Sequence, residues 1–261
     1  MLKNVCFFTL IIMLSYTSKG EIVKKSFKIE NFTSISVQTG IQVKVIIDNN
    51  SDVAYAEGND ELMERLKVES NNGRLHIYYE SEYGSRRNRE YEDRQMNITV
   101  HTPHLTHIKT ISAGNVEWDG VLKENNIEIK CASAGSVSGN IDAKQVNITI
   151  SSAGKYEGEI HAEEAIFGIS SAGFATVSGK IETLSVNAAS ASNFEGYNTI
   201  SDNVSAKSSS CAKITLGETK KIEANAYSLA SITYKQNGKK IKIIEKRKKD
   251  KAYNEEDEVS E

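Results

Sequence analysis

The chain has 261 residues, a single proline (Pro103), 17 glycines, 7% aromatic and 39% hydrophobic residues, and a formal charge of −3. These proportions exclude a collagen-like repeat, a bundle of membrane-spanning helices and a disulfide-dense miniprotein. A charge so near neutral supplies no general basic field, so nucleic acid is not an expected partner.

Residues 1–20 read as a secretory leader. Lys3 gives the positive start, Val5 to Leu14 form an apolar run broken only by Thr9, and Ser18 and Gly20 place small residues before a cleavage point. The run is shorter than the roughly 20 residues a membrane span needs, and no later segment is apolar enough to cross. The expected destination is outside the cytoplasm: periplasm, outer cell surface or medium. Without the leader, 30 basic residues stand against 35 acidic ones, a formal −5. Residues 235–261 hold nine Lys/Arg and seven Asp/Glu, which leaves 21 basic against 28 acidic residues in 21–234.

After the leader, Phe32 to Ile47 alternates (Ile35, Val37, Ile41, Val43, Val45) around a turn at Thr39-Gly40, which predicts two strands. Strands are also predicted over Val53 to Ala56 and Val68 to Tyr79, the latter turning at Asn71-Asn72-Gly73, with a short helix over Asp60 to Lys67. Glu80 to Arg94 is dense in charge and predicts an exposed loop, and Met96 to His101 returns as a strand. Residues 21–104 are therefore expected to cap one end of the remaining chain.

Beyond residue 104 the chain is repetitive. Ser112-Ala113-Gly114 recurs as Ser133-Ala134-Gly135, Ser152-Ala153-Gly154 and Ser171-Ala172-Gly173, then decays to Ser190-Ala191-Ser192, Ser209-Ser210-Cys211 and Ser228-Leu229-Ala230. The serines are spaced 21, 19, 19, 19, 19 and 19 residues apart. Alternating runs such as Val146-Asn147-Ile148-Thr149-Ile150 precede each copy and mean strands with one buried face. Ser-Ala-Gly reads as a tight corner in which glycine takes φ > 0, and a later glycine in six copies, from Gly120 to Gly217, reads as a second bend. The pattern predicts an all-β fold, a β-solenoid of about 19-residue coils over residues 105–245, with coils pairing about 4.8 Å apart. Val204 and Ala206 put the sixth copy out of phase by one residue, for which a local bulge is the expected cause. A coil inserted differently is the alternative. Residues 246–261, basic and then acidic, are expected to form a disordered tail.

Phe32-Thr33-Ser34-Ile35-Ser36-Val37, Gly40-Ile41-Gln42-Val43-Lys44-Val45, Gly73-Arg74-Leu75-His76-Ile77, Thr102-Pro103-His104-Leu105 and the run of Ser-Ala-Gly turns together resemble the head GIN domain family of bacterial autotransporter adhesins. The resemblance covers roughly residues 27–235, with Gln42 a conservative departure from the family's name motif. It implies a single-stranded, right-handed β-helix and a role in adhesion, and it carries over no site residues.

Candidate chemistry is sparse. His101, His104 and His107 resemble a metal cluster at first, but strand parity separates His104 and Pro103 intervenes, so surface histidines are expected and no metal or other cofactor. Cys131 and Cys211 fall four coils apart, too far to bridge, and are expected to be unpaired. The repeat acids Glu128, Asp142, Glu157 and Glu195 fall at differing offsets, so no stacked column is expected of them, which argues against a polysaccharide-active enzyme. Val116, Val137, Tyr156, Ala175, Phe194, Lys213 and Ile232, four past each serine, are read as a core column. Trp118 is the one contact candidate. The expected protein is an exported, non-catalytic, adhesin-like binder of a cell-surface glycan or protein. The alternative is a periplasmic accessory protein that binds an endogenous partner.

Overall fold

The computed structural model describes residues 21–49, 52–80 and 96–244. The expected leader, the expected loop beyond Glu80 and the expected tail lie outside the described residues. Strands β1 (Ile22–Lys28), β2 (Ser34–Gln38), β3 (Gln42–Ile47) and β4 (Val53–Asn59) precede helix α1 (Asp60–Arg65). Then come β5 (Leu66–Asn71), β6 (Arg74–Tyr79), β7 (Met96–Thr102) and β8 (His107–Ile111). Six long bent strands succeed them: β9 (Asn115–Cys131), β10 (Ser136–Ile150), β11 (Lys155–Ile169), β12 (Phe174–Ala188), β13 (Asn193–Ser208) and β14 (Lys213–Ala226). The hairpin of β15 (Ser231–Gln236) and β16 (Lys239–Ile244) ends the described chain.

From β9 to β15 every neighbour is parallel and successive in sequence, the pairing of stacked coils. The solenoid of about 7 turns is thus the predicted one. Its stack begins inside the range expected to be cap. β2 pairs in parallel with β8, and β3 with β9, around a corner at Thr39-Gly40, so residues 34–47 already make a coil. The chain then leaves, builds α1 and β4 to β7, and returns at β8. Antiparallel β1–β4–β7 and β5–β6 finish this end, and the lysines of β1 discourage further pairing. Asn72-Gly73 closes the β5–β6 hairpin with both residues at positive φ, as predicted.

Each corner differs from the sequence expectation in one respect. The left-handed residues are the serine and alanine, for example Ser133 (φ 50°) and Ala134 (φ 62°), not the glycine that comes next. The Gly135 N–H closes the turn on Ala132 O at 2.9 Å, and Ala134 N–H donates to Ser152 O of the next coil, also at 2.9 Å. Glycine is present because a side chain has no room. A Cβ at Gly114 would lie 2.6 Å from Val37 O, and one at Gly154 would lie 2.6 Å from Cys131 O. In later copies Ser192, Ala212 and Ala230 take this place, and Ser192 Oγ donates to Ile169 O.

Two departures from a 19-residue period have a structural cause. In the first coil Glu117 aligns with Ser138 but Val121 with Asn140, so β9 carries two extra residues around Asp119-Gly120. In β13, Glu195 aligns with Thr176 but Asn198 with Ser178, one extra residue bulged at Tyr197. The next corner therefore falls on Ser210-Cys211 rather than Ser209-Ser210, and the bulge expected for the sixth copy is the reason.

Inside, side chains stack by coil. One column reads Val43, Val116, Val137, Tyr156, Ala175, Phe194, Ile214 and Ile232, all buried. The expected core column is thus real, with Ile214 rather than Lys213 as its sixth repeat member because of the bulge. Another runs Val37, Thr110, Cys131, Ile150, Ile169, Ala188, Ser208 and Ala226, shrinking towards the C-terminal end. Phe167 and Phe194 meet edge to face with centroids 5.0 Å apart.

The packing has two testable consequences. Gly139→Ala, whose new Cβ would stand only 2.2 Å from Trp118 Cε2, should lower stability by about 1–3 kcal/mol. Trp118 is the sole tryptophan, so its fluorescence should shift to the red in this variant; an unshifted spectrum and unchanged melting temperature would refute the contact. Cys131 and Cys211 are both free, the first buried and the second exposed. Burial pushes the Cys131 thiol up to about 12, so it stays protonated at neutral pH. In a chain lacking residues 1–20, a thiol reagent at pH 8 should label one cysteine in the native state and two after unfolding.

Candidate binding site

Alternation along each strand turns every second side chain outwards, and parallel pairing lines those side chains into columns across the coils. Two sheet faces result. On the face of β3 and the first halves of β9 to β14, one outward column reads Lys44, Glu117, Ser138, Glu157, Thr176, Glu195, Thr215 and Thr233. This overturns the expectation of no stacked acids: Glu117, Glu157 and Glu195 share one column, one on every second coil. Their common offset, five past each turn serine, was the signal available in the sequence. Neighbours in the trio stand roughly 9.6 Å apart along the stack. All three are exposed, and Lys155 pairs with Glu157 at 3.0 Å. Glu128 and Asp142 lie elsewhere.

On the other face, β2 lies between β6 and β8, both parallel to it. Arg74, Ser34 and His107 form one outward row, and His76, Ser36 and Lys109 the next. The two serines are short and half-buried, and the residues beside them are long. The result is a trough of about 620 Å³ floored by β2, reaching Glu128 and Lys130 on β9. Gln38 Nε2 and His76 Nε2 are 2.7 Å apart, and His76 stacks on Tyr78 with centroids 4.4 Å apart, which fixes the β6 wall. Among the described residues Glu128 is the one carboxylate that lines the trough. The Lys130 ammonium, assisted by His107 at 3.6 Å, holds it below the usual carboxylate range. Arg74 and Lys109 have no acidic partner among the described residues. The trough is therefore cationic on a chain whose body is acidic.

The other sequence candidates resolve individually. Trp118 points inwards with 4% exposure, covers Gly139, and its indole N–H donates to Asn140 O at 2.9 Å. Parity gave this away, since Trp118 lies two residues beyond core Val116. The three clustered histidines do not converge. His101 contacts Asp48 at 3.0 Å, His104 contacts Glu124 at 3.0 Å, and His107 lies beside Glu128. His161 contacts Glu159 at 2.9 Å. Among the described residues no group of three or more His, Cys, Asp or Glu is placed to hold a metal. No helix of the described residues is long and apolar enough to cross a membrane.

Solved bacterial structures share this architecture. "Putative lipid binding protein" from Parabacteroides distasonis matches with a TM-score of 0.68 at 15% identity, covering 83% of this chain and 98% of that one. "A putative adhesin" from Parabacteroides merdae gives 0.67 at 11% identity, covering 83% and 97%. "A putative adhesin" from Bacteroides fragilis gives 0.56 at 16% identity, covering 83% and 97%. At such identities the likeness is one of fold. No curated protein matches the sequence. A family model described as "Putative auto-transporter adhesin, head GIN domain" matches residues 31–238, and the chain belongs to that family.

Proposed function

We propose that the chain is an exported, non-catalytic binding protein of the bacterial cell envelope or surface, adhesin-like in action. Residues 1–20 act as its leader, residues 21–245 as one rigid binding domain, and residues 246–261 as a solvated charged tail. The observation that carries this reading is the cationic trough, set in a chain whose residues 21–234 carry more acids than bases. It is a concave, polar, prearranged surface on a rigid sheet, and rigid presentation lowers the ordering cost of binding. Membership of a family described by adhesion supports the same direction, as does the naming of the Parabacteroides and Bacteroides structures for adhesion or lipid binding.

Binding is favoured over catalysis because four histidines that could act as acid or base are already occupied. His101, His104, His107 and His161 each lie against a carboxylate. The exposed glutamate column has no apolar enclosure of the kind that keeps a general acid protonated.

Two measurements test the reading. N-terminal sequencing of the protein from its native host should begin at Glu21, and intact cells should expose it to added protease. A chain that retains residues 1–20, or one fully shielded inside the periplasm, would count against an adhesin-like role.

A further inference from the structure

We infer that the trough between β6 and β8 binds an acidic sugar unit of a polysaccharide, with the unit's carboxylate or sulfate held between Arg74 and Lys109. This deepens the proposed function and rests on it. Four observations converge on this ligand class.

The first is shape. Ser34 and Ser36 lower the β2 row by several atoms relative to its neighbours, and the walls stand two strand spacings apart, roughly 9.6 Å. That width admits one sugar ring on the floor.

The second is charge. Arg74 and Lys109 are diagonal across the floor, on opposite walls and in successive rows. Both are exposed and neither is committed to an acid among the described residues. Among the described residues the sole carboxylate lining the trough, Glu128, is already occupied by Lys130 and His107. Outside the trough, residues 21–234 carry 27 acids against 18 bases, so this part of the chain repels a polyanion and the trough admits one; Lys235, Lys239, Lys240 and Lys242 lie at the opposite end of the stack.

The third is hydrogen bonding. The Ser34 and Ser36 hydroxyls form no hydrogen bond among the described residues, and sugar hydroxyls are suitable partners. From the trough the His76 row continues across successive coils as Lys109, Lys130, Thr149, Gly168 and Asn187. A polymer leaving the trough therefore meets hydroxyl, amide and cationic groups at every coil but one.

The fourth is the absence of apolar anchors at the rim. The exposed large hydrophobic residues among those described are Ile22, Tyr55, Val121, Ile166, Tyr197, Ile200, Tyr227, Leu229 and Ile244, and none lines the trough. A lipid surface would be expected to engage such residues.

The test uses the exported chain from residue 21 onwards and immobilised polymers: polygalacturonate for carboxylate, chondroitin sulfate for sulfate and carboxylate, and dextran as the neutral control. Binding to an acidic polymer, none to dextran, and weakening in high salt are expected. Arg74→Glu/Lys109→Glu should weaken binding roughly tenfold or more, the order expected when charge-assisted hydrogen bonds are lost. Lys180→Glu/Lys213→Glu makes the same change in net charge away from the trough and should leave affinity near that of the parent. Ser36→Phe, which fills the floor without changing charge, should abolish binding while retaining the parent's circular dichroism. Equal weakening by both charge-reversal pairs, full binding by Ser36→Phe, or equal retention on dextran would overturn the assignment. So would retention on anionic phospholipid vesicles but not on either acidic polymer. Failure of this inference is separable from failure of the wider reading. If the parent protein decorates bacterial or host cells and the trough variants do so equally well, surface binding stands and the trough is not its site. If the parent decorates no cells and is confined to the periplasm, the adhesin-like reading itself fails.

Discussion

The structure depends on the corner. At each turn two successive L-residues sit in the left-handed region, from Ser112-Ala113 to Ser228-Leu229, at a cost of about 1–2 kcal/mol each. The hydrogen bonds made there, one closing the turn and one reaching the next coil, return about 1 kcal/mol apiece. The cost equals or exceeds the return, so the corner alone does not stabilise the chain. What it contributes is position. A corner of this shape brings the next residue against the carbonyl of an earlier coil, and only a residue without a side chain fits at Gly114, Gly135 and Gly154. The favourable energy comes from the columns that this registration creates, where a buried Ile or Phe contributes roughly 1.5–3 kcal/mol.

From that constraint the odd composition arises. A proline within a coil would remove a donor from the inter-coil ladder, so the one proline falls between β7 and β8, where no ladder bond is needed of it. Small residues are plentiful because each corner and each shrinking column requires them: Ala188, Ser208 and Ala226 continue a column that Ile150 and Ile169 fill nearer the middle. The core columns are filled mostly by aliphatic side chains, with Tyr156, Phe167 and Phe194 the large buried rings, and Ala175 lies between Tyr156 and Phe194 in their column. Composition here records coil stacking rather than any reaction.

The coils are legible in the sequence because their two periods, alternation by two and recurrence by 19, are local and repeated. The core column can be read position by position until the bulge at Tyr197 moves Ile214 into the place expected for Lys213. Bulges are harder to place because Gly196-Tyr197-Asn198 looks locally like any other bend. The corner glycine departs from expectation for a different reason: φ and crowding both favour glycine, and sequence cannot separate them. Trp118 and the Glu117–Glu157–Glu195 column are readable in principle, since parity fixes the first and a shared offset the second. Rarity singles out Trp118 as a contact residue, but parity decides its direction.

The trough cannot be read in the same way. Its floor and walls come from β2, β6 and β8, and the chain between β2 and β8 holds the whole excursion through α1. No period links Ser34 to Arg74 or His107. Only the parallel register does, with Ser34 opposite both. The geometry of the solenoid nevertheless explains why a depression occurs at this place. Within the repeats each outward residue is succeeded one coil later by the residue at the equivalent place of the next copy, on a strand of the same length and register. Where the excursion interrupts the stack, strands of unrelated sequence become neighbours, and short serines lie between longer side chains, Ser34 between Arg74 and His107 and Ser36 between His76 and Lys109. A regular solenoid has flat faces, and a concave site arises most readily where its regularity is broken.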